Sequence, residues 1–231
     1  MLLEAMNVDA FYGDLQALHG VTLHVDAAES VALVGANGAG KTTFLRCIAG
    51  LAVQKSGAIY FDGSNIAGLP AETIARLGIV LAPEGRMLFP SLTVEENLLM
   101  GGLSRRRGYW DLQRVYQLFP LLAERRVQMP NTLSGGQQGL VAIGRALMAN
   151  PSLLLCDEIS LGLAPVAIDQ IYASFARIRD EGTAIVLVEQ DVKRASSATN
   201  RIYCLLEGRV TLQGVSQEIN AEKLTRAYFG T

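Results

Sequence analysis

The 231 residues predict one large domain or two small ones, with room for a sizeable core. Half are hydrophobic, 18% are charged and the mean hydropathy is +0.26, yet every apolar run falls far short of the ~20 residues a bilayer-crossing helix needs, so the surplus apolar surface is expected to be buried against protein. A net charge of −2 offers nucleic acid no diffuse basic field, and three scattered cysteines with two early histidines fit neither a disulfide framework nor a zinc site.

In chain order, residues 2–8 and 15–25 alternate as strands do, which predicts an antiparallel flank at the N-terminus. Glu4, Asp9 and Asp14 interrupt the apolar residues there, so no secretory signal is expected and the chain is expected to stay in the cytosol. From Ser30 onward the pattern changes to short, nearly continuous apolar runs at 31–34, 79–82, 153–156, 184–188 and 202–206, which suit strands buried on both faces. Segments 134–149 and 165–179 between them have helical spacing, and alternating strand and helix implies a parallel α/β sheet. Residues 93–149 break the alternation with helical patterns around Glu95, at 112–119 and at 140–147, which predicts a helical insert. Arg105 to Arg107 read as a solvated loop between two of its helices. The tail alternates again at 209–213 and is expected to end in a helix over 216–229.

Directly after the run 31–34 comes Gly35-Ala-Asn37-Gly38-Ala-Gly40-Lys41-Thr42-Thr43, a GxxxxGK[ST] motif set between strand and helix. Glycines let the backbone curl so that N–H groups face phosphate oxygens, and the following helix adds its positive end. Gly35, Asn37, Gly38, Gly40, Lys41, Thr42 and Thr43 are therefore the expected nucleotide contacts. Lys41 supplies a point charge to the β- and γ-phosphates, and Thr42 a hydroxyl to Mg2+. The alternative, a glycine-rich turn capping a helix, does not account for the strand-to-helix setting. Asp157 and Glu158 end the run 153–156, where a magnesium carboxylate is expected: Asp157 is the metal candidate, and Glu158 the candidate base for an attacking water. Alone, an acidic pair after a strand is commonplace.

Leu133-Ser134-Gly135-Gly136-Gln137 opens the helical segment before that strand, and it resembles the signature of ABC transporter ATPases. The resemblance covers essentially the whole chain from Tyr12. It implies an α/β fold, a P-loop NTPase of the ABC ATPase type, with a parallel core sheet, an N-terminal antiparallel β flank and a helical insert at about 93–149 within a single domain over 1–231. In that family two subunits pack head to tail over ATP and Mg2+, so Ser134 and Gly136 would contact the γ-phosphate held by the other subunit. Tyr12, before Gly13, matches the aromatic position that stacks on adenine, although a strand-end Tyr is also ordinary core or turn filler.

The wording at 82–98, 157–165 and 188–191 resembles the smaller ATPase of branched-chain amino acid importers, and importers of urea or short amides share much of it. The resemblance implies a second ABC ATPase as partner, identical or different. It also implies transmembrane permease subunits, indirectly a substrate-binding protein, and a peripheral place on the cytoplasmic face of the inner membrane. The segment 85–97, with Leu88, Phe89 and Pro90, would receive a permease helix; ordinary core packing of Leu88 and Phe89 is the alternative. Three positions depart from the wider family. Glu84 stands where a glutamine usually meets Mg2+ and the attacking water, and Gln190 stands where a histidine usually meets the γ-phosphate. Ile159 and Ala164 replace a proline and an aspartate after the acidic pair. A P-loop phosphotransferase, an ATP-holding subunit without turnover and a soluble ABC ATPase acting on ribosomes or DNA are rival readings. The signature, the intact Lys41, Asp157 and Glu158, and the lack of room for a second cassette speak against them in turn.

Overall fold

In the computed structural model, which describes residues 1–52 and 54–230, β1 (Leu3–Tyr12) and β2 (Leu15–Val25) pair antiparallel with Leu3 opposite Val25 and Tyr12 opposite Leu15. The predicted flank is present and wider than expected: β4 (Gln54–Phe61) lies on the other side of β1, and the short β5 (Ser64–Asn65) closes the sheet in the order β2-β1-β4-β5.

The second sheet runs β10-β9-β3-β8-β7-β6, built from β3 (Ser30–Val34), β6 (Ile79–Ala82), β7 (Leu153–Asp157), β8 (Ala184–Glu189), β9 (Arg201–Leu206) and β10 (Arg209–Val215). All of its pairings are parallel except β9 with β10, which follow each other through the turn at Glu207 and Gly208. The continuous apolar runs have the predicted cause. In β7, Leu153 and Leu155 enter the core shared with the N-terminal sheet and α1 (Lys41–Ile48), while Leu154 and Cys156 enter a second core under the helices. In β8, Val186 and Val188 face the first core and Ile185 and Leu187 the second. With both faces covered, period-two alternation has no polar face to display.

Between β6 and β7 the described residues hold helices and no strand: α3 (Val94–Gly101), α4 (Leu112–Leu118), α5 (Pro120–Glu124) and α6 (Gly135–Leu147). Helix α2 (Ala71–Leu77) precedes β6, α7 (Pro165–Asp180) links β7 to β8, and α8 (Val192–Ala198) links β8 to β9. The C-terminal α9 (Ala221–Phe229) starts later than the sequence predicts. Ser216 is buried and its backbone N–H donates to Asn200, so residues 216–219 form a turn, and the Asn220 side chain caps the helix.

The arginine run is not simply solvated. Arg106 donates to the carbonyls of Asn150, Arg76 and Leu77 and to the Ser152 hydroxyl, which ties the loop of the insert to the end of α2 and the start of β7. Cys47, Cys156 and Cys204 are buried, and burial pushes the Cys47 thiol up to about 11 and Cys156 higher still. At pH 7.5 a thiol-specific reagent is therefore expected to label fewer than about one in ten native chains and all three cysteines once the chain unfolds. Mass spectrometry of the alkylated protein, native against denatured, reads this directly.

Candidate active site

Strand β3 ends fully buried at Val34, and residues 35–40 turn the chain into α1. Gly40 is the N-cap in a left-handed conformation, φ 100°, where a Cβ would lie 2.8 Å from Leu18 Cδ2 and 2.9 Å from the Ala17 carbonyl. Both the backbone angle and the space thus demand glycine there. The loop tip at Asn37 and Gly38 is exposed, while Lys41, one residue into the helix, is only 4% exposed. Its ammonium donates to the carbonyls of Gly35 and Ala36 at 2.8 and 3.0 Å and lies 3.6 Å from Glu158 Oε1. These contacts hold a cation inside the curl of the loop, aimed across the sheet end at the acidic pair.

The parallel register β7–β8 sets Asp157 beside Val188, and the N–H of Glu158, itself at φ 45°, donates to the Val188 carbonyl. That register carries the next residues of both strands past the sheet end together, where Gln190 Nε2 donates to Glu158 Oε2 at 2.7 Å. Thr42 Oγ1 donates to Asp157 Oδ1 at 3.0 Å. Asp157 is 3% exposed, and burial holds its carboxyl above the ordinary range. The Thr42 hydrogen bond and Arg46 act against that rise, and the charges of Glu158 and Glu84 add to it. Glu84, exposed after β6, therefore faces the same cluster through its field. Tyr12 is half exposed at the end of β1, its hydroxyl 3.4 Å from the Thr43 hydroxyl, so its ring stands free beside the loop instead of filling the core. A cation-lined loop, a hydroxyl, two adjacent carboxylates and an amide now share one sheet end. This arrangement suits a phosphate chain and an activated water.

Residues 18–160 match the ABC transporter family. The chain is a member of that family. It is 45% identical over 226 residues to the high-affinity branched-chain amino acid transport ATP-binding protein BraG of Pseudomonas aeruginosa, covering 96% of this chain and 97% of BraG. To the lipopolysaccharide export system ATP-binding protein LptB of Haemophilus influenzae it is 32% identical, over 99% of this chain and 97% of LptB. Among solved structures, a dimeric ATP-binding cassette in a post-hydrolysis state bound to ADP and Pi superposes with a TM-score of 0.83 at 27% identity, over 94% of this chain and all of that one. The chain is an ABC ATPase, an enzyme that hydrolyses ATP in transport.

In this ATPase, Ser134 and Gly136 lie at the start of α6 and apart from the phosphate loop in the fold's wiring. Ser134 caps α6: its hydroxyl accepts from the Gln137 N–H, and the Gln137 side chain accepts from the Ser134 N–H. Gly136 has a reason of its own inside the chain, because a Cβ there would come within 2.2 Å of Ala167 Cβ on α7. Ile159, which the resemblance leaves unexplained, is buried in the core under the helices, and Ala164 is the N-cap of α7 without a side-chain bond, with Pro165 setting the first turn.

Several residues that organise the site have no sequence signal. Arg145 on α6 donates to the carbonyls of Arg86 and Met87, two successive residues at φ 65° and 40°. Arg86 in turn reaches Gln138 in α6 and the Leu161 carbonyl after the acidic pair, both at 3.4 Å. Buried Asn97 bonds only backbone, accepting from the Phe89 N–H and donating to the carbonyls of Phe89, Leu92 and Thr93. The segment after Glu84 is thereby fixed from two sides. Leu88 packs against the core, whereas Phe89, under the Arg145 guanidinium, is 42% exposed and Met87 64%. Core packing thus accounts for Leu88 and not for Phe89.

Proposed function

We propose that the ATPase powers the import of branched-chain or related amino acids. It would work as one of a pair of ABC ATPases docked under a membrane permease on the cytoplasmic face, with a substrate-binding protein choosing the cargo. The observation that carries this reading is the 45% identity to BraG over nearly the full length of both chains, against 32% to LptB. That no helix among the described residues is long and apolar enough to cross a membrane fits delegation of the crossing to other subunits.

For the chemistry, Glu158 takes the proton of a water that attacks the γ-phosphorus in line. The new oxygen–phosphorus bond forms as the bond to the β–γ bridging oxygen breaks, which leaves ADP and phosphate. Gln190 orients the Glu158 carboxylate but cannot itself carry a proton at neutral pH. Lys41 lies within reach of both the phosphates' loop and the base. Thr42 and Asp157 would hold Mg2+, which when bound supplies positive charge beside the phosphates. The donor set fits that ion: a buried, charge-strained carboxylate and a hydroxyl lie side by side. No cluster of three His, Cys, Asp or Glu among the described residues would cage a metal without the phosphates' help. Across the pair, the signature of the second subunit would close over ATP at its γ-phosphate.

The docking face would be the groove of about 610 Å3 beside Met87, Phe89, Met100, Leu103 and Arg145. Purification from membranes in mild detergent should bring down polytopic subunits, and the reconstituted complex should turn over ATP faster with a branched-chain amino acid and its binding protein. Stimulation by lipopolysaccharide or urea instead would overturn the assignment. In the same assay Phe89→Asp should abolish the stimulation while shifting the melting temperature by less than about 2 °C, since the ring is exposed and Asn97 holds the backbone.

A further inference from the structure

Strand β8 ends on Glu189, a carboxylate only 3% exposed and one residue before Gln190. Its Oε1 accepts a 2.5 Å hydrogen bond from the hydroxyl of Tyr172, which stands on α7. Ser160, two residues after Glu158, is also buried near this sheet end and lowers the pKa of the same hydroxyl, against larger opposing effects. Arg194, in the first turn of α8, is the other charged group that faces it. Burial, then the Glu189 charge, holds the Tyr172 phenol far above its ordinary range, so it remains a donor.

One side chain on α7, the helix into which the chain runs after Glu158, is thus tied to the strand end that leads to Gln190. Those two residues meet at 2.7 Å. Glu189 is buried in the same sheet end as Asp157, and burial, then the charges of both, raises the Cys156 thiol. An apolar side chain at 189 would fill the same space at lower cost. What it would not do is fix a donor and an acceptor in one relative orientation, which a satisfied buried pair does.

We propose that Tyr172 and Glu189 are positioning residues for hydrolysis. Their hydrogen bond holds α7, which follows the segment carrying Glu158, against the end of β8, so that the Gln190 amide holds the Glu158 carboxylate toward the attacking water. The inference rests on the reading of Glu158 as the base.

The test is steady-state ATP hydrolysis by the full chain. Tyr172→Phe, which deletes one oxygen, should lower kcat by about 10- to 100-fold, the scale of a misplaced catalytic group. KM for ATP should change less than about twofold. Glu189→Ala should match it, and Glu189→Gln, which keeps an acceptor for Tyr172, should recover most of the rate. The double variant Tyr172→Phe, Glu189→Ala should be no slower than either single one, since both break the same bond. Wild-type kcat in Tyr172→Phe alongside an inactive Glu158→Gln would overturn this inference alone, whereas wild-type turnover in Glu158→Gln would remove the base on which it rests. Loss of ATP binding and of melting temperature together in Tyr172→Phe would make the residue ordinary core and also overturn the proposal.

Discussion

Replacing Glu158 with glutamine should cut ATP turnover by about 10²- to 10⁴-fold, the usual contribution of a general base, while leaving nucleotide binding intact. The substitution is close to isosteric. Its carbonyl oxygen still accepts from Gln190 Nε2, and Lys41 keeps its hydrogen bonds to Gly35 and Ala36. What disappears is a group able to take a proton at neutral pH, and neither neighbour replaces it: Gln190 is an amide, and Lys41 is a cation. With turnover blocked, ATP should hold two subunits together, so the variant should elute as a dimer in MgATP and as a monomer without it. Phosphate release and gel filtration on one preparation check both halves, and wild-type turnover would dismiss Glu158 as the base.

Asp157→Asn should separate stability from activity. The Asp157 carboxylate is buried beside Glu158 and in the field of Glu84, and burial is the largest cause that raises its pKa. The folded chain therefore carries a charge it would hold more easily in water. Asparagine keeps an acceptor for the Thr42 hydroxyl and removes the charge, so without nucleotide the melting temperature should stay level or rise by about 2–4 °C, as a gain near 1 kcal/mol would give. Mg2+-dependent hydrolysis should fall by about 10²- to 10³-fold, the scale of losing one charge-stabilising contact. A lower melting temperature with preserved turnover would mean that Asp157 serves the fold and not the metal. This opposition of signs is the expected mark of a carboxylate kept for chemistry.

The parallel strands were legible because burial on both faces forces unbroken apolar runs, as Val31 to Val34 show by sending Val31 and Leu33 to one core and Ala32 and Val34 to another. Strand β4 lacked that mark, since its apolar residues gather at one end and its neighbours β1 and β5 are both antiparallel. Helices α2 and α8 each bury one side chain, Ile74 and Ala195, and α8 is started by the Asp191 cap. At the site, Lys41, Thr42, Asp157 and Glu158 were readable because each sits at a fixed offset from a strand end. The Gln190–Glu158 contact follows from neighbouring parallel strands in register, information that pairing supplies and spacing does not. Arg145, Arg86 and Asn97 were invisible because they bind mostly backbone carbonyls, which every residue type offers alike.

The way Asn97 grips its neighbours reaches beyond this one chain. All four of its hydrogen bonds end on main-chain atoms, so the curve of the segment it holds is indifferent to the side chains displayed there. With Arg145 holding the Met87 carbonyl in the same backbone-only way, the side chains at 87 and 89 can be exchanged like the bits of a tool while the handle stays the same. On the docking proposed for this face, grafting residues 87 and 89 between paralogues should carry partner choice with them and leave ATP turnover unchanged.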